Sequence, residues 1–234
     1  MASPAFRQKA NAGGATGANV TCNVPAGTAD NDILLFFMSK DATGAVTDVA
    51  GTWNVIANAT ANSFHMYIAW KRAASEPASY TFNFASTWRD CIMLAYSGGV
   101  VGENPLDPDA PTAPTEGTVA TGSQTFATPT DITTTTDTTA VAFCNYIAIS
   151  SFGTVPTGYT FRQNAAGNEV GVADLVVAAA GTIGAATFNI SGSGGAVKGF
   201  QLALQSVAAG GAVTLPPGLG PAVQMTTPLM MPPP

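Results

Sequence analysis

The sequence predicts an all-β fold: one antiparallel β-sandwich, jelly-roll-like or immunoglobulin-like, of about ten strands, built from two pseudo-repeated halves and flanked by extended arms. Three observations predict it. No long window places apolar residues at the three- and four-residue spacing of a helix. Short apolar or alternating runs, separated by Gly, Asp, Asn and Pro, recur along the chain. A Thr-Phe-Asn-hydrophobe core at Thr81–Phe84 returns after 106 residues at Thr187–Ile190.

Element by element, Asp30-Asn31-Asp32 supplies turn formers, and ILLFFM at Ile33–Met38 then reads as a core strand. FHMYIAW at Phe64–Trp70 alternates, with Phe64, Met66, Ile68 and Trp70 on one face and His65, Tyr67 and Ala69 on the other. Ser79–Ala85 and Asp90–Ser97 are expected as two further strands. The second half repeats this order: Thr139–Phe143 stands for Ile33–Phe37, and Gly158-Tyr159-Thr160-Phe161 echoes Gly51-Thr52-Trp53 with a one-residue gap. Glu169–Ala178 stands for the Phe64 strand, Thr187–Ile190 for Thr81–Phe84, and Gly199–Ser206 for the Asp90 strand. Gly192–Gly195 reads as a hairpin turn. Each half offers about five strands, whereas two complete sandwiches need ~7 strands each. A single domain over 18–207, with halves 18–99 and 123–207, therefore uses the material better than two small domains. The link 100–122 carries Pro105, Pro108, Pro111 and Pro114 and reads as an extended surface crossover, with Asp107-Pro108-Asp109 a solvated turn. Residues 1–17 read as an Ala/Gly-rich N-terminal arm. Residues 208–234 form a Pro/Met-rich tail whose Leu215, Leu219, Met225, Leu229, Met230 and Met231 suit docking into an apolar groove of a neighbour.

Charge is the unusual feature of the composition. Only 9% of the 234 residues are Asp, Glu, Lys or Arg, against roughly 25% in ordinary soluble chains. Such a surface suits a subunit largely covered by neighbours, including copies of itself, or a secreted protein, and the first reading fits better. The net charge of −6 and the scattered lysines and arginines argue against nucleic-acid binding. No apolar h-region follows Arg7 and Lys9, so a secretory signal is not expected, and no apolar run approaches the ~20 residues needed to span a membrane. Three cysteines, Cys22, Cys91 and Cys144, read as buried free thiols rather than a disulfide framework.

Catalytic signatures are missing from the sequence. His65 is the only histidine, and its place in an alternating strand suits a solvated or hydrogen-bonded side chain better than a triad. No G-x-S-x-G, H-E-x-x-H or Walker pattern occurs. The acidic pairs Asp30/Asp32 and Asp107/Asp109 lie in turns, so no metal, cofactor or catalytic residue is expected and the chain reads as a non-enzyme. The aromatics Trp53, Trp70, Trp88, Tyr67, Tyr80, Tyr96 and Tyr159 offer a sugar-stacking platform as the competing reading, although their alternation with aliphatics favours packing.

Val24–Gly99 carries a further pattern. Pro25, Gly27 and Asp32 open an apolar strand, Gly51 and Trp53 mark a turn, and Trp70-Lys71, Ala73, Glu76-Pro77 and Tyr80-Thr81-Phe82 follow. Ala95-Tyr96-Ser97-Gly98 closes the segment. This order resembles β-sandwich structural proteins of tailed-phage virions, well over residues 24–99 and weakly over most of the chain. The resemblance implies a virion component without enzymatic activity, assembled in the host cytoplasm. The resemblance does not say which part of the particle carries the chain. The acidic balance favours the exterior, so the expectation is a capsid-surface decoration, cement or head-fibre subunit attached through its terminal arms to the major capsid protein or to neighbouring copies. A tail-associated or host-adhesion module that binds a host glycan is the alternative. The family's usual glycine before the strand-opening aspartate is Asn31 here, another residue that tolerates a left-handed backbone.

Overall fold

Every position of Ile33–Lys40 is buried, which an antiparallel strand achieves only when both faces of its sheet are covered. The rest of the fold supplies those covers. The computed structural model describes residues 3–41, 44–48, 53–61, 64–99, 104–107, 115–119, 122–128, 132–134, 138–146, 149–163, 170–193 and 195–206. Among them no helix occurs. The first half consists of β1 (Ala5–Asn23), β2 (Ile33–Lys40), β3 (Thr47–Asp48), β4 (Asn54–Ala61), β5 (Phe64–Arg72) and β6 (Ser79–Ser97). The second half opens with β7 (Thr115–Val119), β8 (Gly122–Ala127), β9 (Ile132–Thr134), β10 (Thr138–Tyr146) and β11 (Ile149–Phe152). It closes with β12 (Thr160–Gln163), β13 (Val170–Val177), β14 (Gly181–Ile183), β15 (Thr187–Gly192) and β16 (Gly195–Gln205).

The repeat seen in the sequence is a repeat of topology. The first large sheet runs β1-β6-β2-β5-β4 and the second runs β7-β16-β10-β13-β12, the same order in the same antiparallel sense. β2 and β10 are the central strands. These two sheets pack face to face. Ile33, Leu35, Phe37, Ile68, Ile92 and Leu94 of the first meet Val141, Phe143, Val172, Phe200 and Leu202 of the second, and Phe37 stacks on Phe143 with centroids 5.0 Å apart. All these side chains come from alternate positions, as a pleated inner face requires.

Each sheet also curls over its own outer face. β6 bends partway along, so Phe82 near its start stacks on Phe36 of β2 at 3.9 Å within a second core containing Val20, Met38, Trp53, Tyr67 and Met93. In the second half Phe188 and Ile190 of β15 close a third core over Ala140, Ala142 and Ala173. The result is a sandwich of two curled half-barrels.

Several expectations change on this frame. Sixteen strands stand among the described residues where about ten were expected, because short uncharged strands such as β9 and β14 are set by pairing partners rather than by their own pattern. Ser79–Ala85 and Asp90–Ser97 are one bent strand. Residues 5–17 are not an arm but the leading part of β1, paired with β6 throughout. Their glycines are what the bends need: register shifts fall at Gly13/Ala15 and Gly17/Asn19. A Cβ on Gly13, at φ +144°, would lie 2.5 Å from the Asp90 Cα. The proline-rich link is not a free surface crossover. It contains β7, Leu106 bridges to Leu204, and Asp107 is buried, its N–H donating to the Ala203 carbonyl at 2.9 Å. Pro105, which has no N–H, serves as the acceptor for Gln205 N–H at 2.8 Å. The hairpin expected at Gly192–Gly195 is not formed by its flanking strands: β15 pairs with β8 and β11 whereas β16 pairs with β7 and β10.

Candidate functional site

Three polar arrangements stand out against a nearly uncharged molecule. The first lies where the family-like motif folds back on itself. β5 ends at Arg72 and the turn through Ser75, at φ +50°, returns the chain into β6. This brings Lys71, Glu76 and Tyr80 together over Trp53. Lys71 pairs with Glu76 at 2.9 Å and donates to the Tyr80 hydroxyl, which in turn donates to Glu76. The Lys71 ammonium lies 4.7 Å from the Tyr80 ring centroid, and Tyr80 meets Trp53 edge-on at 5.3 Å. Burial alone lowers the Lys71 pKa, but the bonds to Tyr80 and Glu76 and the Glu76 charge outweigh it and leave the pKa raised. For Glu76, burial is outweighed by the bonds from Tyr80, the Ala74 N–H and Lys71, leaving its pKa lowered. This mutually satisfied cluster holds a turn. Asp30 and Asp32 do similar work, the first accepting from Ser75 N–H at 2.8 Å and the second from Ala29 N–H at 2.8 Å and from Arg7 at 2.7 Å. Asn31 takes the left-handed backbone expected of it, at φ +71°.

The second arrangement is a seam between the halves. The Tyr96 hydroxyl on β6 donates to Asp174 on β13 at 2.8 Å, and Arg162 on β12 pairs with the same carboxylate at 2.8 Å. Phe6 on β1 lies under the Arg162 guanidinium, 3.9 Å from ring centroid to carbon, and edge-on to Tyr96 at 5.8 Å. Lys9 donates to the Arg162 carbonyl and to Gln163 at 3.2 Å. The N-terminal strand is thus fastened across both halves. Asp174 was legible only as one of two acids, with Glu169, in EVGVADLVVA, and its partners lie 78 and 12 residues away.

His65, the only histidine, is buried rather than solvated, at 2% exposure. Its Nε2–H donates to Asn58 Oδ1, while the Asn58 amide donates to the Val46 carbonyl at 3.3 Å. Burial, then the positive charges of Lys40 and Lys198, lower its pKa to about 4. A histidine kept neutral when folded binds its proton more readily when unfolded, so stability present above pH ~6.5 is lost as pH falls toward 4. The loss approaches ~3 kcal/mol, since a tenfold difference in proton affinity between the folded and unfolded chain is worth about 1.4 kcal/mol. Urea unfolding of wild type at pH 7.5 and 4.5 should show that loss, and His65→Gln should remove most of the difference.

The third arrangement is a cleft of about 260 Å³ on the second half. Thr125, Thr154, Thr157, Thr187 and Asn189 line it. Beneath it lies a buried network in which Thr128 donates to Gln201 at 2.7 Å and Gln201 donates to the Tyr159 hydroxyl at 2.9 Å.

The expected site residues fare differently. Leu215, Leu219, Met225, Leu229, Met230 and Met231 lie outside the described residues. None of the seven aromatics considered as a stacking platform is exposed: Trp53, Tyr67, Tyr96 and Tyr159 are buried, and Trp70, Trp88 and Tyr80 are partly so. Cys22, Cys91 and Cys144 are buried free thiols. Among the described residues no group of three or more His, Cys, Asp or Glu is placed to hold a metal. Searches against family models, curated proteins and solved structures return no match to this chain.

Proposed function

We propose that the chain is a structural subunit of a tailed-phage particle, carried on the outer capsid surface as decoration, cement or head fibre. The observation that carries this reading is where the scarce charges lie. Of 8 Lys/Arg and 14 Asp/Glu, six are buried among the described residues: Asp32, Lys40, Asp90, Asp107, Asp174 and Lys198. That leaves the outside even poorer in charge than the composition suggests, far below the ~25–35% charged surface that keeps small domains apart. The exterior strand β4, NVIANATA, pairs only with β5 among the described residues and carries neither a charge nor a proline. Charge and proline are two of the usual guards against edge-to-edge pairing. The strand's one irregularity is the register shift at Val55/Ala57, and an edge so lightly guarded suits a strand that a neighbouring copy or another virion protein covers. The net charge of −6 favours the outside of a particle filled with DNA.

Mass-spectrometric inventory of purified particles tests the reading. Copies numbering in the hundreds would mark capsid decoration, a handful would mark a tail or vertex, and absence would refute it. Deleting residues 210–234 should abolish incorporation while the sandwich still folds. Normal incorporation of that truncated chain would remove the tail from the mechanism.

A further inference from the structure

The two halves share the topology of their large sheets, but one matching station differs between them and bears on a cleft. Thr81-Phe82-Asn83 and Thr187-Phe188-Asn189 occupy matching stations, each paired with a strand that comes earlier in its own half than the central one. Phe82 packs near Trp53, and Phe188 shares a core with Tyr159. The residue before this triplet is Tyr80 in the first half and Ala186 in the second. In the first half the Tyr80 ring stands over Trp53, clamped by Lys71 and Glu76. In the second half Ala186 stands at that station and lines an open cleft of about 260 Å³.

We infer that this cleft is a binding site for one pyranose ring of a glycan. Its chemistry selects the class. Among the described residues the lining holds four threonines and Asn189 and no charged side chain, so an ionic ligand would shed water there without gaining a partner of opposite charge. A neutral ligand bearing several hydroxyls matches that array of donors and acceptors. Val155, Pro156 and Ala186 add an apolar patch, suited to the C–H face of a sugar ring. The size fits one ring, since it falls just below the ~300 Å³ at which sites for drug-sized ligands begin. Thr125, Thr154, Thr157 and Thr187 are all exposed, so a ring seated there can continue into a longer chain in solvent.

The walls are held before any ligand arrives. Ala186 N–H donates to Thr128 Oγ1 at 2.9 Å and to Gln201 Oε1 at 3.3 Å, and Gln201 donates onward to Tyr159 and to the Gly184 carbonyl at 3.3 Å. Tyr159 N–H in turn donates to the Pro156 carbonyl at 2.9 Å. Both sides of the cleft therefore hang on one buried network, which cuts the ordering cost of binding. The cleft belongs to the surface of the isolated chain, so sugar binding there does not require assembly into a particle.

Saturation-transfer NMR on the full chain tests it, with glucose, galactose, mannose and N-acetylglucosamine as probes and glucose 6-phosphate as the charged control. At least one neutral sugar should bind with a dissociation constant on the order of 1 mM, the range open to about a dozen non-hydrogen atoms. Ala186→Tyr, which restores the residue of the first half, should weaken binding at least tenfold while the amide spectrum elsewhere stays unchanged. Should that variant fold poorly, Thr157→Ala with Thr187→Ala, both at exposed rim positions, carries the same test. The inference fails if none of the neutral sugars shows transfer, if binding survives these changes in the folded protein, or if only the phosphorylated sugar binds.

Discussion

Phe37→Ala is expected to lower the thermal midpoint by on the order of 10 °C while leaving a single unfolding transition. Phe37 is fully buried, and its ring stacks on Phe143 at 5.0 Å in the layer that joins the two sheets. Truncating a buried phenylalanine costs about 3–5 kcal/mol, and for a domain of this size each kcal/mol moves the midpoint by roughly 2–4 °C. The shape of the transition is as informative as its position. Because Ile33, Leu35 and Leu94 share one core with Val141, Val172 and Leu202, neither sheet keeps its inner face covered alone, so the halves should melt together. Scanning calorimetry decides this. Two resolved transitions in wild type would mean that the halves are independent domains. In the double variant Phe37→Ala/Phe143→Ala the costs should fall short of additivity, because both changes empty one shared space.

How much of this was legible in the sequence follows from how each residue gets its environment. The central strands were readable because burial on both faces demands an unbroken apolar run, and Ile33–Met38 has one. The repeat was readable because Phe82 and Phe188 each close a core of their own and so recur with their neighbours. β1 was opaque for a physical reason: its position is fixed by pairing with β6, and its glycines answer backbone contacts such as Gly13 against Asp90. In composition those glycines look like a loose arm. The cleft was harder still. Its signal is an alanine at 186 where the repeat has a tyrosine at 80, and a missing ring gains meaning only once the two halves are matched. Asp174 was visible as an acid within an apolar run, but nothing local told that Tyr96 and Arg162 would reach it.

That seam carries the second large effect. Asp174→Ala should destabilise the protein by about 3–5 kcal/mol, the cost of removing one partner of a buried pair. Asp174 is 3% exposed and serves two donors at 2.8 Å, the Tyr96 hydroxyl and Arg162. Its loss takes the acceptor from a fully buried phenol and the counter-charge from the guanidinium that lies over Phe6. Tyr96→Phe alone removes one bond to a charged group, worth about 1.5–3 kcal/mol, and with Asp174→Asn should show a coupling of roughly 1–3 kcal/mol in a double-mutant cycle. The pair also sets a pH dependence. Burial, then the Asp174 charge and hydrogen bond, push the Tyr96 pKa well above its ordinary value. A folded state that holds its proton longer than the unfolded chain loses stability as pH rises past ~10, by about 1.4 kcal/mol for each further pH unit. Urea midpoints between pH 9 and 11 should fall in wild type and fall less steeply in Tyr96→Phe. An equal slope in the two would show that the buried thiols and the other tyrosines, not this seam, govern the alkaline limit.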